Sequence, residues 1–120
     1  MSENSVLSAV AFSQMRQEMR PTDIAWLIDL FLNEIPKYMN DLEKSVMNQD
    51  SEALYFAAHK FKGSCANVGA ESIFNICQQL EGLGESNDME KASKIVQNDL
   101  KKAVKSVQQA LLLEKQKLKY

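Results

Sequence analysis

Residues 58–70 read AHKFKGSCANVGA and lie in a predicted helix that determines how the rest of the chain is arranged. The helix should begin near Asp50, a residue type that caps helix N-termini, and end at Gly69, which can adopt the left-handed C′ conformation. A helix turns about 100° per residue, so His59 lies about 140° from Leu54 and should face solvent. On the same wheel the other apolar positions fall within about 40° of Leu54, and with it they should face the core: Ala58, Phe61, Cys65 and Val68.

The three-and-four spacing of apolar residues continues along the whole chain, and no stretch alternates as a β-strand does. It predicts helices over about 5–19, 23–48, 50–69, 71–82 and from 87 or 88 onward. Because the predicted loops are short, sequential helices should pack antiparallel. We therefore expect an all-α, up-and-down antiparallel four-helix bundle over about 22–112. Residues 1–20 would add an N-terminal covering helix, and 113–120 a basic tail of the last helix. A long coiled coil is the alternative, but the predicted turns would interrupt its heptads too often.

The ends and faces of the other helices carry weaker signals. Thr22 is a plausible N-cap of the second helix, and Pro36 inside that helix predicts a kink. Asn87 followed by Glu90 resembles a capping box at the start of the last helix. The first helix offers only a loose set of apolar candidates: Val6, Ala9, Val10, Met15 and Met19.

The composition is that of one soluble globular domain over residues 1–120, with 45% hydrophobic and 25% charged residues. Cys65 and Cys77 match no metal-ligand spacing, and with a single histidine in the chain no clustered zinc site can be built. They are expected to be reduced and buried. No apolar run approaches the length that a bilayer requires, and the N-terminus lacks the basic region of a signal peptide. These features predict a cytoplasmic protein with no membrane contact.

Charge is unevenly distributed along the chain. The formal net charge is -2, yet residues 91–120 carry 8 Lys and Arg against 2 Asp and Glu, whereas residues 1–90 carry 6 against 14. A long solvated helix is the simplest interpretation, and a basic patch for an acidic partner is a second. A nucleic-acid binder is disfavoured because no groove-reading motif or overall basic charge is present.

The surroundings of His59 are unusual for a solvent-facing helix surface, which would ordinarily carry Glu, Lys and Gln. Apolar surface around an exposed imidazole suggests a docking surface, although an incidental surface histidine and cover by the N-terminal helix remain alternatives. Gly63, one turn later, would leave open space beside the ring, and Lys62 could reach that space with its ammonium. Such a site suits transient attachment of a phosphoryl group to the imidazole. The chain has no glycine-rich phosphate loop, so ATP binding is not expected. The outward residues are Tyr55, Phe56, His59, Gly63 and Ala66.

Residues 58–70 also resemble the signature of histidine-containing phosphotransfer (HPt) domains of two-component phosphorelays: a histidine, any residue, an apolar residue, Lys, Gly and small residues, then an apolar residue, Gly and Ala. The resemblance extends over about residues 20–110. It implies a four-helix bundle whose His59 accepts a phosphoryl group from the aspartyl phosphate of a receiver domain and passes it to another receiver. It also implies that the chain has no autokinase activity of its own.

The resemblance assigns roles to individual positions. Lys62 would position the phosphoryl group, and Gly63 would give the receiver access. Glu81 stands where the family has a Gln or Glu that binds the inner ring nitrogen, so it would orient the imidazole with Nε2 outward. The docking surface would include a set of residues around the histidine: Tyr55, Phe56, Lys60, Ala66 and Asn67.

The partners implied are receiver domains of response regulators, with a hybrid sensor histidine kinase as a further candidate. Mg²⁺ would belong to the receiver, and no cofactor is expected in this chain. We expect a monomer that binds neither nucleic acid nor membrane. The alternative function is that of a non-phosphorylated helical adaptor or inhibitor that uses the same face to bind a partner.

Overall fold

The computed structural model describes residues 5–118, and all the regular elements in this range are helical. The last two α-helices are joined without a break by a π-helical segment, Ile95–Asp99, so that they form one long helix. The α-helices are α1 Ala9–Glu18, α2 Pro21–Met47, α3 Ser51–Val68, α4 Glu71–Ser86, α5 Met89–Lys94 and α6 Leu100–Lys117.

The predicted all-α four-helix bundle is confirmed. Helix α3 lies between α2 and α4, and the long helix from α5 to α6 closes the bundle against both. Every residue of the predicted α3 stripe is at most 1% exposed. Ion pairs between α6 and the other helices support the arrangement, including Lys115 to Asp29 of α2 at 2.7 Å and Arg16 of α1 to Glu114 at 3.2 Å.

Both ends of α3 have the predicted geometry. The Asp50 side chain accepts a hydrogen bond from the amide of Ala53 at 3.0 Å, as an N-cap does. Gly69 has φ 71°, and its amide donates to the carbonyl of Cys65. Close packing adds a second requirement for glycine here, because a Cβ at Gly69 would lie 3.0 Å from the Cβ of Ala11.

Gly69→Ala should therefore lower the free energy of unfolding by about 1–2 kcal/mol, since an L-residue is strained in the left-handed region. The clash with Ala11 adds to this. Urea unfolding of the single variants and of Gly69→Ala/Ala11→Gly would separate the two contributions in a double-mutant cycle. Equal stability of Gly69→Ala and the unsubstituted protein would contradict the prediction.

Several predicted helix ends were wrong. Helix α2 begins at Pro21 with Arg20 as its N-cap, so Thr22 is not the cap. Helix α4 does not stop at Gly82 but continues to Ser86 and ends at Asn87, whose φ is 58°. Proline at the first helical position and a left-handed residue just beyond the last one are common helix boundaries.

The predicted cap of the last helix also needs correction. The last helix is capped by Asp88, which accepts from the amide of Lys91 at 3.2 Å, and not by an Asn87–Glu90 box. Helix α2 continues across Pro36, which is exposed, and the kink expected there remains a prediction.

Helix α1 is shorter than predicted, and only some of the predicted apolar candidates pack against the core. It begins after Ser8, whose amide donates to the carbonyl of Gly69 at 2.8 Å, so the segment is fixed at the turn between α3 and α4. Its buried residues are Met15, which is one of the predicted candidates, and Phe12, which is not. Val10, another predicted candidate, is 69% exposed. Residues 1–4 of the predicted covering helix and 119–120 of the predicted tail lie outside the described residues.

Cys65 and Cys77 are buried free thiols in facing parts of α3 and α4, as predicted. Over the described part of the chain, none of the helices combines the length and hydrophobicity that a bilayer crossing requires.

Candidate functional site

His59 lies on the outer surface where α3 and α4 meet. Its side chain is 59% exposed, which agrees with the orientation predicted from the helical wheel. Its inner ring nitrogen, Nδ1, is 2.6 Å from Oε2 of Glu81, a residue of α4 that is almost completely buried. The imidazole is therefore held from below by a carboxylate while the rest of the ring faces solvent.

Glu81 bridges two groups of α3. Its second oxygen, Oε1, accepts a hydrogen bond from Nζ of Lys62 at 2.7 Å. Burial alone would raise the pKa of Glu81, but the hydrogen bonds from Lys62 and His59 together outweigh burial and lower that pKa. An ionised carboxylate can only accept, so Nδ1 of His59 must carry the hydrogen. In the neutral ring this leaves Nε2 with the lone pair.

Lys62 lies one turn after His59 on α3, and the ability of its ammonium to reach the space beside the ring remains a prediction. It is held by Glu81, and its Nζ lies 5.8 Å from the centroid of the Phe74 ring in a cation–π arrangement. Only 23% of the Lys62 side chain is exposed. Phe74 was not among the predicted site residues, because no feature of its local sequence relates it to Lys62.

The space beside His59 is open, as predicted from Gly63. A Cβ built at Gly63 would meet no atom within 4 Å. Glycine is less favourable than alanine in a helix interior. Because a Cβ at this position would touch nothing, packing does not explain why Gly63 is a glycine. The role of this gap in partner access remains a prediction.

The aromatic residues near His59 fall into two environments. Phe56 is 56% exposed, and helix α1 does not cover it. Tyr55 is half-buried, and its ring lies nearly parallel to the imidazole, with 6.0 Å between centroids and 7° between planes. The two aromatic rings meet edge to face at 5.5 Å. The remaining predicted docking residues are all exposed: Lys60, Ala66 and Asn67.

No other cluster in the described structure offers an alternative metal-based site. Within residues 5–118, no group of three or more His, Cys, Asp or Glu side chains is arranged to hold a metal ion. The chemistry that the site itself can support is attack by a neutral imidazole nitrogen on an electrophile brought by another molecule.

Comparison with known proteins places this geometry in context. The family model of the Hpt domain matches residues 27–110. The signal transduction histidine-protein kinase BarA of Escherichia coli K12 is 31% identical over 68 residues, which are 56% of this chain and 7% of that protein. Histidine-containing phosphotransfer protein 1 of Arabidopsis thaliana is 26% identical over 86 residues, which are 70% of this chain and 56% of that protein.

The fold has a solved counterpart. The crystal structure of histidine-containing phosphotransfer protein B (HptB) from Pseudomonas aeruginosa PAO1 superposes with a TM-score of 0.85 at 21% identity. The match covers 95% of this chain and 97% of that one. At this level of identity the likeness establishes the helical arrangement.

Proposed function

The chain belongs to the Hpt domain family, and we propose that it is a phosphorelay intermediate in which His59 accepts a phosphoryl group from a receiver-domain aspartyl phosphate and passes it to another receiver. One observation supports this above all others. The imidazole is exposed while Glu81 binds Nδ1, so the nitrogen with the lone pair is Nε2.

The proposed transfer is a simple displacement. Nε2 of His59 attacks the phosphorus of the aspartyl phosphate, a P–N bond forms, and the bond between phosphorus and the aspartate oxygen breaks to leave a carboxylate on the receiver. The proton on Nδ1 remains in place. The phosphorylated ring gains positive charge, which the carboxylate of Glu81 at 2.6 Å stabilises. Donation to the second receiver is the reverse reaction.

Lys62 and Gly63 have supporting roles in this proposal. The ammonium of Lys62 lies one helical turn from His59 and, by turning from Glu81, can meet the negative oxygens of the phosphoryl group. Gly63 leaves room for the receiver to bring its aspartyl phosphate to the ring. The docking surface consists of the half-buried Tyr55 and four exposed residues around His59: Phe56, Lys60, Ala66 and Asn67.

The proposal also defines what partners contribute. The receiver supplies the aspartyl phosphate and the Mg²⁺ that its chemistry requires, and this chain needs no cofactor and has no kinase activity of its own. A hybrid sensor histidine kinase is a further candidate partner, in line with the similarity to a protein named as a histidine-protein kinase. We propose a cytoplasmic monomer that binds neither nucleic acid nor membrane.

The function is tested by incubating the protein with a receiver domain that carries a labelled aspartyl phosphate. The expected result is label on this chain that is lost in acid and stable in alkali, followed by transfer of the label to a second, unlabelled receiver. If receivers bind the chain without transferring label, the protein is an adaptor and the phosphorelay proposal is wrong.

Phe56→Glu should slow transfer from the receiver without unfolding the protein, because Phe56 is exposed beside His59 and a charge there disfavours an apolar partner surface. We expect a fall of about tenfold in transfer rate, equivalent to about 1.4 kcal/mol. The matched control is Met47→Glu, an exposed apolar residue at the end of α2 that should leave the rate unchanged. Equal transfer rates for the two variants would show that Phe56 is not part of the docking surface.

A further inference from the structure

Helices α3 and α4 cross closely at Gly84. This glycine is buried inside α4, and a Cβ built on it would lie 2.9 Å from the carbonyl oxygen of Ser51 and 3.1 Å from the amide nitrogen of Tyr55. Both atoms belong to the α3 backbone, which cannot move aside as a flexible side chain can. The crossing therefore has no room for any side chain at this position.

The crossing is one turn away from the hydrogen bond that orients the histidine. Tyr55 precedes His59 by four residues on α3, and Gly84 follows Glu81 by three on α4, so both pairs lie on the facing surfaces of the two antiparallel helices. The Tyr55 ring, whose backbone touches the crossing, is also the one that lies parallel to the imidazole.

The hydrogen bonds of Glu81 depend on this helix separation. The distance from Glu81 to His59 Nδ1 is 2.6 Å and that to Lys62 Nζ is 2.7 Å, so both hydrogen bonds are short. Both bonds join α4 to α3 across the contact that Gly84 makes possible. Moving the helices apart to make room for a Cβ at Gly84 would lengthen both bonds and change their geometry.

We propose that Gly84 is a positioning residue for His59: its missing side chain sets the α3–α4 distance at which Glu81 holds the imidazole in the Nδ1–H tautomer. The effect on phosphotransfer rests on the function proposed above, whereas the effect on the ring itself does not. Gly84 touches neither the ring nor any group that it would react with.

The chain contains a matched control for this proposal. Gly82 is also inside α4, two residues earlier, but a Cβ built there would meet no atom within 4 Å. Alanine favours helix over glycine at both positions. The variants Gly82→Ala and Gly84→Ala therefore make the same chemical change in the same helix and differ in the contact with α3.

The experiment is ¹⁵N NMR of the imidazole, measured together with the rate of phosphotransfer from a receiver. Since His59 is the only histidine, its ring nitrogens give one set of signals. We expect Gly82→Ala to leave the ring shifts and the rate unchanged. Gly84→Ala should shift the ring nitrogens towards a mixture of tautomers and slow transfer about tenfold, within the hundredfold that a displacement of about 1 Å can cost.

Three outcomes would overturn the proposal. The first is identical ring shifts in the two variants. The second is slower transfer in Gly84→Ala with unchanged ring shifts, which would show that the slower transfer does not arise from a change in the Glu81–His59 hydrogen bond. If Gly84→Ala does not fold, Gly82→Ala/Gly84→Ala is measured in trimethylamine N-oxide, which favours the compact state. Failure of that variant to fold would be the third outcome, since Gly84 would then be a requirement of the bundle as a whole.

If the proposed phosphorelay function is wrong, the two measurements give a different combination of results. If the unsubstituted protein takes no label from receivers while Gly84→Ala alone alters the ring tautomer, the positioning role is supported and the phosphorelay proposal is not.

Discussion

His59→Gln is expected to reduce the acid-labile label taken from a receiver to background. Glutamine can occupy a similar volume and can still hydrogen-bond to Glu81, but its amide nitrogen is not a nucleophile. The side chain is 59% exposed and contributes nothing to the core. The cost in stability should therefore be small, about 1 kcal/mol for the altered hydrogen bond.

The measurement is quantitative labelling of the two proteins by the same phosphorylated receiver, with circular dichroism and urea unfolding as checks on the fold. The matched control is Ser64→Ala. Ser64 carries the aliphatic hydroxyl nearest to His59 in sequence on α3, and its Oγ is already hydrogen-bonded to the hydroxyl of Tyr38 at 2.5 Å. That variant should keep the full label. Acid-labile label that survives in His59→Gln would show that another residue is the acceptor.

The features of α3 could be predicted because they depend on residues close together in the sequence. The cap at Asp50, the left-handed residue at Gly69 and the apolar stripe between them all lie within α3, so the direction of His59 followed from the angle per residue. The family signature added Glu81 as a partner of the ring, and the two side chains do meet.

The end of α4 could not be predicted from local sequence. Gly82 and Gly84 disfavour helix, and taken alone they indicate a turn. The helix continues because tertiary packing outweighs propensity: Leu80 and Gly84 are buried against the rest of the bundle, and at Gly84 the packing requires glycine. A glycine that breaks a helix and one that allows two helices to touch look the same in a single sequence.

The contacts between helices also could not be predicted from the local sequence. Lys62 lies 19 residues before Glu81, and nothing near Lys62 indicates that its ammonium binds that carboxylate and not open solvent. In α1 the weak apolar pattern gave a loose set of candidates that included Val10 and omitted Phe12, yet Phe12 is buried and Val10 is exposed. The π-helical segment, in which the amide of Leu100 donates to the carbonyl of Ile95, has no signal in composition.

Substitution of Glu81 is expected to have the second large effect, because this one carboxylate orients the imidazole and also pairs with Lys62. Glu81→Ala removes the acceptor of Nδ1, so the ring can rotate and exchange tautomers. We expect transfer to slow by about tenfold to a hundredfold, the range that loss of orientation can cost. Glu81→Gln keeps a carbonyl acceptor for Nδ1 and should retain more activity than alanine.

The stability of these variants should depend on pH in a defined direction. The folded-state pKa of Glu81 is lowered, so the carboxylate stabilises the protein at pH values above its unfolded pKa, about 4.3. That contribution is lost as the pH falls through the folded pKa. At neutral pH, Glu81→Gln should lower the free energy of unfolding by about 1–3 kcal/mol, as expected for hydrogen bonds to charged groups.

Urea unfolding at a series of pH values from 7 down to about 3 tests this, since the difference between the two proteins should shrink as Glu81 takes up a proton. The matched control is Glu85→Gln, an exposed acidic residue one turn further along α4 whose substitution should change stability little at any pH. A difference between Glu81→Gln and the unsubstituted protein that stays constant across the series would mean that the charge of Glu81 does not stabilise the fold. The orientation of His59 would then have to come from the shape of the α3–α4 contact alone.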